Sequence, residues 1–164
     1  MLIYAVRCGL STLDGHSGST PPVAAIKAAH LTRGGRRQAR VAGKRLTVQY
    51  GVSPRENCAA TSCFKSAEET ALQMGFVKSQ VVSCHLLDIV DCNLVDIAER
   101  PSFNLKDRSE GMVQKAQHIL GNPPMQSIWI THGWVIAGLT ILLGVRSHYE
   151  SVMPRHCEIR VFAI

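Results

Sequence analysis

Aromatic side chains are scarce: they make up 5% of the 164 residues. A single-strand nucleic-acid binder needs stacking platforms, so this shortage weighs against that class. The chain has six cysteines but no CxxC pair, and no cysteine–histidine spacing of the kind that builds a zinc site. No metal and no cofactor is therefore expected. No charged segment leads into an apolar stretch with a cleavage site, so no signal peptide is read. Reduced thiols in an intracellular, cytoplasmic setting follow as the simplest expectation. The longest apolar region, Ile128–Val145, is interrupted by Thr131, His132 and Gly133. It reads as a buried strand followed by a buried helix rather than a membrane span, so no membrane partner is expected. Internal repeats and a composition shift that would mark a domain boundary are also lacking, and residues 1–164 are read as one domain.

What is present is a 46% apolar composition with a net charge of +6. The apolar share suits a globular α/β protein. The charge favours anionic partners: phosphorylated metabolites, phosphoproteins or nucleic acid. Leu2–Val6 is a short apolar run that stops in Arg7-Cys8-Gly9, the pattern of a buried parallel strand with a loop at its carboxyl end. In open α/β sheets that end is where ligands bind.

Residues 10–31, rich in Ser, Gly and Pro, read as a long loop with a short helical turn at Val23–Ala29. Thr32 can cap a helix reaching about Tyr50, stopped by Gly51, with Ala39, Ala42, Leu46 and Tyr50 facing inward. Its other face carries Arg33, Arg36, Arg37, Arg40, Lys44 and Arg45, either a solvated basic face or an electrostatic docking surface. Asn57–Thr61 reads as a strand, Lys65–Met74 as a helix stopped by Gly75, and Val81–Cys84 as a third strand. Leu86–Pro101 holds Asp88, Asp91, Asp96 and Glu99 without a clear period. A helix opening at Asp107 or Ser109 runs to Leu120. Ser127–Thr131 is a strand, Trp134–Leu143 a helix apolar nearly all round, and Ile159–Ile164 a last strand. The alternation predicts a mostly parallel central sheet flanked by helices on both faces, a three-layer sandwich.

Two strand ends carry the chemistry: Arg7-Cys8-Gly9 and Thr131-His132-Gly133. The second lies at the start of a helix, where free N–H groups and the positive dipole end attract anions. Arg7, His132 and that helix start converging would make a phosphate pocket.

Four motifs in order then carry a resemblance to the histidine phosphatase superfamily, the phosphoglycerate mutase-like proteins. The family's RHG after its first strand is here VRCG. Its LTxxGxxQA is matched in full by Leu31–Ala39, LTRGGRRQA. Its SSxxxRAxxTA is matched in part by Thr61–Ala71, TSCFKSAEETA. Its strand ending in THG before an apolar helix is matched by WITHGWVIAGL.

The resemblance implies the phosphoglycerate mutase-like fold and a phosphate pocket with Arg7, Ser66 and Gly133 at binding positions. It places Cys8 where the family has its nucleophilic histidine and keeps the second pocket histidine as His132. The family's clamping arginine falls on Ser66. Lys65 is adjacent, but one step along a helix turns a side chain by roughly 100°. Asp88 and Asp91 lie where many members carry a leaving-group acid. Cys8 is either a thiolate nucleophile, its pKa lowered by Arg7, charged His132 and helix N–H groups, or a small inert residue filling the old site.

The resulting expectation is a degenerate histidine-phosphatase-fold protein, a pseudophosphatase acting as a binding or scaffold subunit with a residual anion pocket, since inactive members occur in larger assemblies. The alternative is a phosphohydrolase of altered mechanism using Cys8. Contact with nucleic acid through the basic helix ranks third. His16, His30, His85, His118, His148 and His156 are read as surface or packing residues. Cys58, Cys63, Cys84, Cys92 and Cys157 are read as structural thiols.

Overall fold

The strands most apolar in sequence occupy the middle of the sheet. In the computed structural model, which describes residues 1–14, 21–89, 105–144 and 152–164, these are β1 (Leu2–Arg7), β2 (Ala59–Thr61) and β4 (Ile128–Thr131). Every residue of β2 and β4 is buried. β3 (Val81–Ser83) is a more exposed edge, and β5 (Ile159–Ala163) closes the opposite edge. The order is β3-β2-β4-β1-β5, with β3, β2, β4 and β1 parallel and β5 antiparallel to β1.

Alternation along the strands divides the core in two. Val6, Ala59, Ile128 and Ile130 face α2 (Arg33–Tyr50) and α3 (Lys65–Met74), where they meet Ala39, Leu46, Ala67 and Ala71. Ala5, Ala60 and Trp129 face α4 (Leu105–Gly121) and α5 (Gly133–Leu142), where they meet Ala116, Ile119, Val135 and Ile136. The three-layer sandwich with a mostly parallel sheet is thus present. A short helix, α1 (Val23–Ala28), lies in the long first connection.

The helix stops fall where the chain's punctuation puts them. Thr32 accepts a hydrogen bond from the Gly35 N–H at 2.9 Å, capping α2. Gly51 and Gly75 end α2 and α3 in the left-handed conformation. Gly35 is needed for contact: a Cβ there would lie 2.2 Å from the Leu10 carbonyl oxygen. This packs the start of α2 directly under the loop that leaves β1.

Tyr50 departs from expectation. It is exposed at the last turn of α2, with its ring edge-on to Tyr4 at 5.5 Å. β2 begins at Ala59 rather than Asn57, β3 ends at Ser83, and α4 starts at Leu105. His16, Asp91, Cys92, Asp96, Glu99 and His148 lie outside the described residues. No helix among the described residues is long and apolar enough to cross a membrane.

Register is what builds the site. Arg7 pairs with Thr131 across β1 and β4, and Thr61 pairs with Ile130 across β2 and β4. The residues that follow, Cys8, His132 and Ser62, therefore leave the sheet side by side at its carboxyl edge.

Candidate functional site

A cavity of about 280 Å³ opens at that edge, with Arg7, Cys8, Asp14, Ser66, His132 and His156 in its wall. Its inner wall is a chain of hydrogen bonds. The Asp88 carboxylate accepts the Ser62 hydroxyl proton at Oδ1, 2.7 Å away. With its proton so committed, Ser62 Oγ can only accept from His132 Nε2, at 2.8 Å. That fixes the imidazole with its proton on Nε2 and leaves the Nδ1 lone pair toward Cys8 Sγ, 3.6 Å away. Phe64 covers the ring, with centroids 4.5 Å apart.

Burial sets the charge state of this wall. It pushes the Cys8 thiol up from 9.0 to about 11, against the pull of Arg7, and the Asp14 carboxylate adds to the rise. Burial also pulls His132 down from 6.5 to about 4, against the attraction of Asp88 and helped by Arg7. The pair is thus neutral thiol beside neutral imidazole near pH 7. The expected pull of Arg7 on the Cys8 pKa is present, but the expected contribution of a charged His132 is not. His132 carries no charge there, and desolvation exceeds what the guanidinium offers.

The outer wall is ionic. Arg7 Nη1 donates to the Pro154 carbonyl at 2.6 Å, and Nη2 lies 3.0 Å from His156 Nε2. Its Nε is buried without a hydrogen-bond partner among the described residues. His156 Nε2 also lies 3.4 Å from Asp14 Oδ1. Burial disfavours the Asp14 charge, but the nearby His156 ring and hydrogen bonds from Ser11 hold this carboxyl well below the usual range. Cys157, with a left-handed φ of 59°, turns the chain here and accompanies His156 into place. Gly133 leaves Arg7 its room: a Cβ would come within 3.2 Å of Nε.

The structure brings together Arg7, Cys8, Ser66, His132 and Gly133, all named from sequence. Ser66 is buried in the same wall, and its side chain works against the rise in the Cys8 pKa. Lys65 does not stand in for a clamp. It pairs with Glu68 at 2.8 Å and lines a different cleft with Lys27 and His30. Asp88 is buried on the far side of Ser62, its link to Cys8 passing through Ser62 and His132. His156, read from sequence as surface or packing, is instead a pocket residue. No spacing could have flagged it, since it reaches Arg7 across 149 positions of chain. Asp14 was visible only as a loop acid, although Ser11 three residues earlier is the partner a short turn would supply.

No family model matches the sequence, and no curated protein does. Solved structures do match in fold. Over 99% of this chain and 90% of the other, it superposes on the mycobacterial glucosyl-3-phosphoglycerate phosphatase complexed with VO3, at 16% identity and a TM-score of 0.62. The protein histidine phosphatase SixA complexed with tungstate matches over 98% of this chain and 86% of that one, at 17% identity and a TM-score of 0.56. The phosphoserine phosphatase of Entamoeba histolytica matches over 99% and 90%, at 14% identity and a TM-score of 0.59. The chain has the fold that these phosphatases share.

Proposed function

We propose that this chain is a divergent member of the histidine phosphatase superfamily that binds anionic groups without transferring phosphoryl groups, and serves as a binding or scaffold subunit. The observation that carries this is the neutral Cys8–His132 pair. A protonated thiol stands at the nucleophile's position, and among the described residues Arg7 and Ser66 do not offset burial. Phosphoryl transfer rests on positioning and on neutralising equatorial oxygens. Ser66 offers a hydroxyl where a charged bidentate clamp would sit, and the Arg7 guanidinium is already engaged with Pro154 and His156. Asp14 further sets a carboxylate where an incoming phosphate would lie. The pocket keeps donors for binding in Arg7 and the start of α5 at Gly133. Both neighbours solved with VO3 and tungstate hold such an oxyanion.

Arginine side chains along α2 supply a second contact surface. Arg33, Arg36, Arg37 and Arg40 border a cleft of about 540 Å³, suited to an acidic protein partner.

The second reading, a Cys8-based phosphohydrolase, is favoured by one detail: the His132 tautomer presents a lone pair to the thiol. Hydrolysis of p-nitrophenyl phosphate by the native chain, Cys8→Ser, and a Cys8→His, Ser66→Arg double variant separates the two. The expected result is no turnover by the native chain and a gain in the double variant. Native turnover that disappears in Cys8→Ser would overturn the binding reading.

A further inference from the structure

Outside the pocket, three donor atoms of different kinds converge. Cys63 follows β2, while His85 and Asp88 open and close the turn after β3. Cys63 Sγ and His85 Nδ1 are 3.3 Å apart, His85 Nδ1 and Asp88 Oδ2 are 3.3 Å apart, and all three ligand atoms lie within 4.8 Å of one another. One ring nitrogen thus faces both a thiol and a carboxylate, and its single proton or single lone pair cannot serve both at full strength. A cation between the three atoms would satisfy all of them.

The dimensions fit. Tetrahedral bonds of about 2.0–2.3 Å to S, N and O ligands put neighbouring donors roughly 3.5 Å apart. The mixed donor set suits zinc-class ions and not magnesium or calcium, which want oxygen throughout. The anchoring is also in place. Asp88 Oδ1 is taken up by the Ser62 hydroxyl and the Cys63 N–H, both at 2.7 Å, so the carboxylate is held with Oδ2 turned outward. Asp88 is buried while the His85 side chain is 81% exposed, which leaves a fourth position facing solvent.

We propose that Cys63 Sγ, His85 Nδ1 and Asp88 Oδ2 form a binding site for one zinc-class divalent cation, with its fourth coordination position open. The cysteine and histidine spacing hides this site because its ligands come from two separate loops. Its occupancy reaches the pocket, because the same carboxylate begins the hydrogen-bond chain that ends on Cys8.

The test uses Co²⁺ as the probe on the reduced full chain, read by absorption. One equivalent should raise a thiolate-to-cobalt charge-transfer band with tetrahedral ligand-field bands, both displaced by Zn²⁺. The band should vanish in Cys63→Ser, persist in Cys58→Ser, and require at least ~10-fold more metal in His85→Ala. His85 is exposed, so that variant should unfold at the native temperature, which circular dichroism checks. Absence of the band in the native chain, or a band of equal strength in Cys63→Ser, would overturn the site.

Discussion

Cys8 and Cys63 hold equivalent places in the sheet and have opposite surroundings. Each follows the carboxyl end of a parallel strand, and burial raises each thiol from 9.0 to about 11. Cys8 faces a neutral imidazole and lies beside an arginine that donates to Pro154 and contacts His156. Cys63 faces a carboxylate and an exposed imidazole. Asp88 touches both regions, through Ser62 on one side and directly on the other. A strand end therefore fixes where a thiol sits, while the groups around it fix what it can do. Inside, desolvation outweighs the pull of Arg7 on the thiol. Outside, a thiol, an imidazole and a carboxylate lie within 4.8 Å of one another.

Removing Asp88 breaks this comparison most severely. Asp88→Ala leaves a buried hydroxyl and a part-buried N–H without their acceptor, and should cost about 3 kcal/mol of stability. For a chain of this size that is a fall of roughly 6–12 °C in Tm by calorimetry. Cys63→Ser, by contrast, should leave Tm nearly unchanged.

Acid should act on the inner region through His132. The unfolded chain protonates this imidazole near 6.5, whereas the folded chain does so only near about 4. Between those values the unfolded state binds more protons, so stability falls as pH drops from 6.5 through about 4, by ~3 kcal/mol in all. Urea denaturation across that window should show the slope, and His132→Gln should flatten it.

Ser62→Ala removes the link between the two regions. It should cost about 1–2 kcal/mol in urea denaturation and free the His132 ring to take either tautomer. The smallest effect belongs to the outer wall. Asp14→Asn withdraws a like charge from the anion's position and should tighten inorganic phosphate roughly 5-fold by calorimetric titration, about 1 kcal/mol of exposed charge repulsion.

Much of the fold was legible in the residues. Apolar runs marked the central strands, and Thr32, Gly51 and Gly75 marked helix ends, because these signals are local. The pocket positions Arg7, Cys8 and His132 were legible because motifs sit at strand ends that the register joins, and Ser66 because its motif opens α3. The charge states were not legible. Whether Arg7 lowers a thiol pKa depends on how deeply both are buried, a property of the whole packed core. His156 and the Cys63–His85–Asp88 cluster were hidden for a related reason: each depends on loops brought together by the sheet. Tyr50 had the right period but stays exposed, its ring against Tyr4.

The most direct test of the central claim is the pH dependence of Cys8 alkylation by iodoacetamide, followed peptide by peptide with mass spectrometry. The expected result is slow labelling at neutral pH and a midpoint near about 11, well above an ordinary thiol at 9.0. Rapid labelling of Cys8 with a midpoint below pH 8 would show a thiolate in the pocket, contradicting the inert-thiol reading and restoring Cys8 as a nucleophile.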